Sequence, residues 1–124
     1  MDYVATNDAP KAIGPYSQAV KANGLVFTSG QIALDPATGN LVEGSFDDQV
    51  HRVFRNLEAV LREAGSSFDR VLKATVYVTD LANFQALNAI YGQYFGDHKP
   101  ARTTIEASAL PKGGLVEIDL VALT

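Results

Sequence analysis

The chain has 124 residues, 47% of them apolar and 19% charged, with a net charge of −4 and no cysteine. That is one domain, able to bury about two-thirds of the surface its unfolded form exposes, and too apolar for general disorder. Without thiols there are no disulfides, Fe–S clusters, thiolate zinc sites or thiol nucleophiles; the two histidines, His51 and His98, are too few and too far apart for a zinc site; and the acidic balance argues against a phosphate backbone as partner.

No apolar run approaches the roughly 18 residues of a membrane span, and no basic segment followed by an apolar one opens the chain. A cytoplasmic protein with no membrane partner is the expectation. Repeats, low-complexity tracts and linkers are absent from the pattern, which suits one α+β unit over residues 1–124.

Residues 15–33 read as a hairpin. The segment from Tyr16 to Lys21 meets Asn23-Gly24, two residues that tolerate positive φ, and Leu25 to Ser29 resumes an extended pattern. Gly30 follows, where a glycine permits a bulge or the close approach of another group. Asp35-Pro36-Ala37-Thr38-Gly39 is a turn-rich loop.

A helix is expected over 46–64. Ser45 caps it, Asp47 and Asp48 favour its positive end, and Val50, Val53, Phe54, Leu57, Val60, Leu61 and Ala64 form one stripe that Gly65 ends. A strand over 70–79 should place Leu72, Ala74, Val76 and Val78 on one face and Val71, Lys73, Thr75, Tyr77 and Thr79 on the other. Asp80 then caps a second helix over 81–95, with Leu81, Phe84, Leu87, Ile90, Tyr91 and Tyr94 near one face, closed by Gly96 and Pro100.

Strands over 101–109 and 115–123 complete the chain, and pattern alone pairs them as a simple hairpin across Leu110 to Gly114. In the last strand Val116, Ile118, Leu120 and Ala122 should meet the helices. The opposite face carries Leu115, Glu117, Asp119, Val121 and Leu123, more apolar than a face left to water. Two helices cover one side of a sheet, so a neighbouring subunit is the simplest cover for the other; scattered exposed hydrophobes are the ordinary alternative.

Few side chains can carry chemistry. Arg102 lies in the otherwise uncharged stretch Ala101 to Ile105, and a guanidinium there suits a carboxylate as a bidentate clamp; an arginine facing water at a strand start is the simpler account. Glu117 alternates with apolar residues. Under cover its carboxylate would lose solvent and become a better proton acceptor; in the open it would be a solvated surface group or an ion-pair partner of Lys73 or Arg102. Tyr16 follows Gly14-Pro15, a rigid turn, so its hydroxyl either orients a ligand or completes local packing. Ser29-Gly30 presents a hydroxyl and a backbone N–H, with no histidine or lysine nearby in sequence to activate the serine. Gly113-Gly114 lacks the phosphate-loop pattern.

Taken in order, Gly14-Pro15-Tyr16-Ser17-Gln18-Ala19, Ser29-Gly30-Gln31-Ile32, Lys73-Ala74-Thr75-Val76-Tyr77-Val78, Asn88-Ala89-Ile90-Tyr91, Pro100-Ala101-Arg102 and Leu110-Pro111 through Val116-Glu117-Ile118 form a specific series. In it the chain resembles the RidA/YjgF family of reactive-intermediate deaminases over essentially its whole length. The resemblance implies a chorismate-mutase-like α+β fold: a mixed β-sheet with two helices on one face, its last strand inserted between earlier ones, assembled as a homotrimer with sites between subunits. It implies hydrolysis of 2-imino acids or their enamine tautomers (2-aminoacrylate, 2-iminopropanoate, 2-iminobutanoate) to 2-oxo acids and ammonia, with no cofactor and no metal.

Carried onto this sequence, the resemblance makes Arg102 the clamp for the substrate carboxylate and Glu117 the holder of the attacking water. Tyr16, Ser29 and the backbone of Gly30 would position substrate and water, the main chain of Thr104 would approach the ligand, and Phe84 and Asn88 would line the cleft. Some members carry cysteine where this chain has Thr104, so thiol regulation of the site is excluded here. The competing readings are a specialised deaminase of a degradation pathway acting on aminomuconate- or aminoacrylate-type substrates, an endoribonuclease or translation inhibitor, and a small-carboxylate-binding protein without turnover. The acidic balance and the lack of a basic run weigh against RNA.

Overall fold

Asn23 and Gly24 turn the chain with φ of 54° and 76°, the left-handed geometry a two-residue hairpin loop requires. They join strands β2 (Ala19–Ala22) and β3 (Leu25–Thr28), in a computed structural model that describes residues 1–124. A short strand β1 (Asp2–Val4), which the sequence pattern does not announce, pairs antiparallel with β2. The expected strand beginning at Tyr16 starts only at Ala19, because Gly14 to Tyr16 forms a tight turn in which the Tyr16 N–H donates to the Gly14 carbonyl at 2.8 Å.

Helix α1 runs Phe46–Glu63. Ser45 and Asp48 form a capping box: the Ser45 N–H donates to the Asp48 carboxylate at 2.9 Å, and the Asp48 N–H donates to the Ser45 hydroxyl at 3.3 Å. The Ser45 N–H, and the Ser45 hydroxyl that donates to the same carboxylate at 3.1 Å, hold the Asp48 carboxyl below its usual range. The expected stripe faces inward, with Val50, Val53, Phe54, Leu57, Val60 and Leu61 all fully buried. Each such side chain contributes about 1.5–3 kcal/mol relative to exposure.

Strand β4 (Val71–Val78) departs from strict alternation at its start. Val71 lies level with Ala122 and Lys73 with Val121, so two residues of β4 oppose one step of its neighbour. This bulge turns Val71 into the core and Leu72 out to 45% exposure, the reverse of the expected assignment for both. From Lys73 onward the phase is as expected, with Ala74, Val76 and Val78 buried.

The expected helix over 81–95 divides in two. The Asp80 carboxylate accepts from the Ala82 N–H at 2.9 Å and the Phe84 N–H reaches back to the Leu81 carbonyl, which tightens Leu81–Asn83 into a 3-10 turn before helix α2 (Phe84–Phe95). Leu81 and Phe84 therefore stay exposed rather than joining the core, while Leu87 and Ile90 are buried as expected and Phe95 joins them.

Strands β5 (Ala101–Glu106) and β6 (Val116–Leu123) do not form the hairpin that pattern alone suggests. The sheet order is β1-β2-β3-β6-β4-β5. β5 pairs parallel with β4 after the α2 crossover, and β6 enters between β3 and β4, antiparallel to both. The physical reason lies in the strand itself: Val116, Ile118, Leu120 and Ala122 are at most 1% exposed, and only a central position under the helices gives them that burial. This is the α+β architecture, mixed sheet and two helices, that the resemblance implies.

Both helices share one core with the inward side chains of the sheet. The other face has no helix over it, and only loops near Glu117 shield part of it. One row across the sheet runs Tyr3, Val20, Phe27, Val121, Lys73, Ala101, and Phe27, Leu72, Ile105 and Leu123 are each at least 39% exposed.

Candidate active site

Arg102 stands on β5, the edge strand, level with Ala74, and so projects from the helix-covered side of the sheet. Its Nη1 donates to the Asn88 Oδ1 at 2.8 Å. Its Cζ lies 5.5 Å from the centre of the Phe84 ring and 4.8 Å from that of Tyr91. All three partners are uncharged, so they hold the guanidinium without neutralising it. The cleft beside it, about 400 Å³, is bordered by Asn88, Tyr91, His98, Lys99 and Arg102, with no carboxylate in its lining. Thr104 follows on the same face, level with Val76, and its hydroxyl is buried without a hydrogen-bond partner.

Glu117 lies level with Tyr77 and projects from the opposite, uncovered face. Its carboxylate packs directly over Gly30: a Cβ added there would stand 2.5 Å from Glu117 Oε2. The glycine thus permits the close approach that its position in the sequence suggests. Tyr16, Gly30 and Glu117 border one cleft of about 180 Å³, together with Lys11, Gln31 and Pro111. Tyr16 is half exposed, and its hydroxyl accepts from the Ile13 N–H at 3.3 Å. The Ser29 hydroxyl donates to the Ser17 carbonyl at 2.5 Å, which spends its proton on joining the segment before β2 to the one after β3.

Burial raises the pKa of Glu117, and the neighbouring Asp119 adds repulsion in the same direction. Burial raises Asp119 too, against hydrogen bonds from Tyr77 and Thr75 that lower it. A carboxylate so placed is a stronger proton acceptor than one in water.

The candidate residues therefore fall into two groups. Arg102, Asn88, Phe84 and Thr104 gather at the edge strand on the helix side. Tyr16, Gly30 and Glu117 gather on the open side, with Ser29 adjacent in the chain. The two groups are separated by the sheet and by the width of β4, so one chain does not bring Arg102 and Glu117 together.

Three buried polar residues that sequence reasoning passed over hold the loops around the Glu117 cleft. Gln18 donates to the Pro10 carbonyl at 2.7 Å and accepts from the Thr6 N–H at 2.7 Å. Asn56 donates to the Leu34 carbonyl at 2.9 Å, and Gln49 accepts from the Leu115 N–H at 2.9 Å. A signal was available for the last two: Gln49 and Asn56 interrupt the inward side of α1, where an amide persists only if its hydrogen bonds are met.

Comparison with known proteins places this geometry in context. A profile of the family described as endoribonuclease L-PSP matches residues 6–124. Reactive Intermediate Deaminase A, chloroplastic, of Arabidopsis thaliana is 44% identical over 121 residues, covering 98% of this chain and 65% of the plant protein. A Yersinia pestis structure, YyfA, described as a protein of unknown function of the conserved Rid protein family, superposes with a TM-score of 0.96 at 46% identity, covering 99% of this chain and 98% of that one. Escherichia coli TdcF with bound serine superposes with a TM-score of 0.94 at 37% identity, covering 100% and 99%. With its sequence and its fold both matched along nearly its whole length, the chain belongs to the Rid family, the family also described as endoribonuclease L-PSP.

Proposed function

We propose that this protein is a deaminase that hydrolyses small 2-imino acids to 2-oxo acids and ammonia, at sites completed between copies of the chain. The observation that carries the reading is the division of the candidate residues. An unneutralised guanidinium and a desolvated carboxylate, each in its own cleft, lie on opposite sides of one sheet, and a carboxylate-bearing substrate needs both. The exposed apolar side chains of the open face, Phe27, Leu72, Ile105 and Leu123, favour burying that face against a second copy. A homotrimer closes such contacts into a ring with three equivalent sites.

In this reading Arg102 takes the substrate carboxylate as a bidentate pair through donors its own chain leaves open. Glu117 accepts a proton from a water molecule as the water oxygen bonds to the carbon of the protonated imine, whose carbon–nitrogen π pair moves onto nitrogen. The resulting tetrahedral carbon carries hydroxyl and amino groups. The Glu117 proton then passes to nitrogen, the carbon–nitrogen bond breaks with its electron pair leaving on ammonia, and Glu117 takes the hydroxyl proton as the carbonyl forms; 2-oxo acid and ammonia leave, the ammonia carrying that proton away as ammonium. Water is the only co-reactant in this scheme. The imine carbon is already electrophilic, so orientation and one well-placed base suffice; general base catalysis of this kind contributes about 10²–10⁴-fold. The relative named a deaminase and the relative holding serine, a small amino acid with a carboxylate, support the substrate class.

The test couples a threonine dehydratase to semicarbazide trapping of 2-iminobutanoate. Wild type should lower the trapped imine, while Arg102→Ala and Glu117→Gln, each alone, should not. Mixing the two inactive variants under conditions that exchange subunits should restore about a quarter of the wild-type rate, the random share of interfaces that pair two intact halves. No loss of imine with wild type, for this substrate and for 2-aminoacrylate, overturns the reading in favour of a specialised deaminase or a binding protein. RNA cleavage by nuclease-free protein that Arg102→Ala abolishes would favour the ribonuclease instead.

A further inference from the structure

We infer that Tyr91 is a positioning residue for Arg102: its ring, with the Phe84 ring and the Asn88 amide, presets the guanidinium to receive a carboxylate. The inference rests on the proposed role of Arg102 and goes beyond it to the device that makes the arginine effective.

Phe84, Asn88 and Tyr91 are spaced i, i+4, i+7 along α2, so they line one side of that helix. That side meets the edge strand where Arg102 projects. A long side chain on an edge strand would otherwise sample many rotamers, and ordering it would weaken every ligand it bound. Here the cation faces two aromatic rings, with centres 5.5 and 4.8 Å from Cζ, and one of its donors is fixed on Asn88 at 2.8 Å. None of the three is an acid. A carboxylate in their place would hold the arginine as firmly but would compete with the substrate.

Tyr91 is the stronger of the two ring contacts for two reasons. It is the nearer, and it is the anchored one. Its ring packs against Phe95 with centres 4.5 Å apart and meets Phe54 of α1 edge-on at 5.9 Å. Phe54 is fully buried, so the Tyr91 ring is braced by the hydrophobic core, whereas Phe84 is 38% exposed. The Tyr91 hydroxyl has no hydrogen-bond partner, so the ring face rather than the hydroxyl is what the arginine uses. Burial raises its pKa, against the opposite pull of the Arg102 charge, and favours the neutral phenol, in keeping with a role for the ring alone.

The test uses the whole protein and the stable acid 2-oxobutanoate, titrated by calorimetry, together with imine hydrolysis kinetics. Tyr91→Phe keeps the ring and should bind 2-oxobutanoate within about twofold of wild type, whereas Tyr91→Leu should bind about tenfold more weakly. In turnover, Tyr91→Leu should raise KM by a similar factor and leave kcat within about threefold at saturation, a split that general destabilisation does not produce. Phe84→Leu, at a surface position, should raise KM about threefold without lowering the melting temperature, and it carries the test if Tyr91→Leu fails to fold. Equal losses in Tyr91→Phe and Tyr91→Leu would overturn the inference by assigning the effect to the hydroxyl. Unchanged binding in a folded Tyr91→Leu, or in Phe84→Leu where Tyr91→Leu fails to fold, would overturn it while leaving the carboxylate role of Arg102 intact. A wild type that binds no carboxylate, by contrast, would remove the role of Arg102 and the inference with it.

Discussion

Arg102 and Glu117 are prepared for use in different ways. Arg102 sits at the edge of the sheet, and its own chain acts on it mechanically: two rings and an amide fix its position and leave its charge alone. Glu117 sits on a central strand, and its own chain acts on it electrostatically: burial and Asp119 raise its pKa, while bare backbone at Gly30 gives it room. A permanent cation needs only to be placed, because its charge does not titrate. In the proposed reaction the carboxylate exchanges protons, so it has to be tuned as well as placed. The difference predicts distinct behaviour when each side is altered.

The largest effect is expected at the cation. Arg102→Ala should lower kcat/KM for 2-iminobutanoate by more than about 100-fold, consistent with loss of a buried bidentate pair. Arg102→Lys should recover little of it, since a point charge fits neither the two rings nor a forked carboxylate contact. The melting temperature should hold in both, because the arginine belongs to a cleft and not to the core. Turnover that survives Arg102→Lys would break the comparison on this side.

Glu117→Gln should lower kcat by about 10²-fold with a smaller change in 2-oxobutanoate binding. It should also raise stability at neutral pH, and the sign follows from linkage. A raised carboxyl pKa means that the folded chain holds its proton longer than the unfolded chain. Stability is therefore lost as pH rises from the ordinary glutamate range through the raised value, and stays lost above it. Removing the ionisable group returns that stability at pH 7 and changes nothing at a pH below the ordinary range. Thermal melts of both proteins across pH check this; a variant that melts lower at pH 7 would show Glu117 to be a structural partner rather than a strained base.

The smallest effect is expected at Gly30→Ala. The new methyl meets the Glu117 side chain from Cγ outward and no backbone, so folding should be little affected if that side chain swings aside. The Glu117 carboxylate must move aside, however, and kcat should fall about tenfold, since small displacements of a catalytic group are costly. An unchanged kcat, measured alongside unchanged 2-oxobutanoate binding, would mean that the position of this carboxylate matters less than its presence.

Much of this was legible in the residues. The capping pair Ser45 and Asp48, the α1 stripe, the Asn23-Gly24 turn and the inward face of β6 all follow from local pattern, because each depends on neighbours one to four positions away. The strand order did not follow from pattern. Pairing β6 with β3 and β4 is decided by burial on a central strand, and short-range signals favour the wrong hairpin; the ordered family motifs supplied the inserted strand. The bulge that exchanges Val71 and Leu72 was hidden for a similar reason: one extra residue in a ladder has no signature in a run of apolar residues. For the candidate site, the residue types at Arg102, Glu117 and Gly30 were visible, but their separation onto two faces required the register. The contact of Tyr91 with Arg102 joins a helix to an edge strand and could be seen only in three dimensions.

The insertion of β6 also bears on how the molecule is made. Leu25 pairs with Leu123, so the sheet closes across nearly the full length of the chain. Until residues 116–123 are available, β3 and β4 each present an open edge, and the two parts of the sheet have nothing to join them. Such long-range closure slows folding relative to a helical domain of this size, because loop-closure entropy is lost before the closing contacts form. During that interval the exposed strand edges are the surfaces on which two immature chains would meet, so aggregation during synthesis, and not loss of the folded state, is the hazard this topology carries.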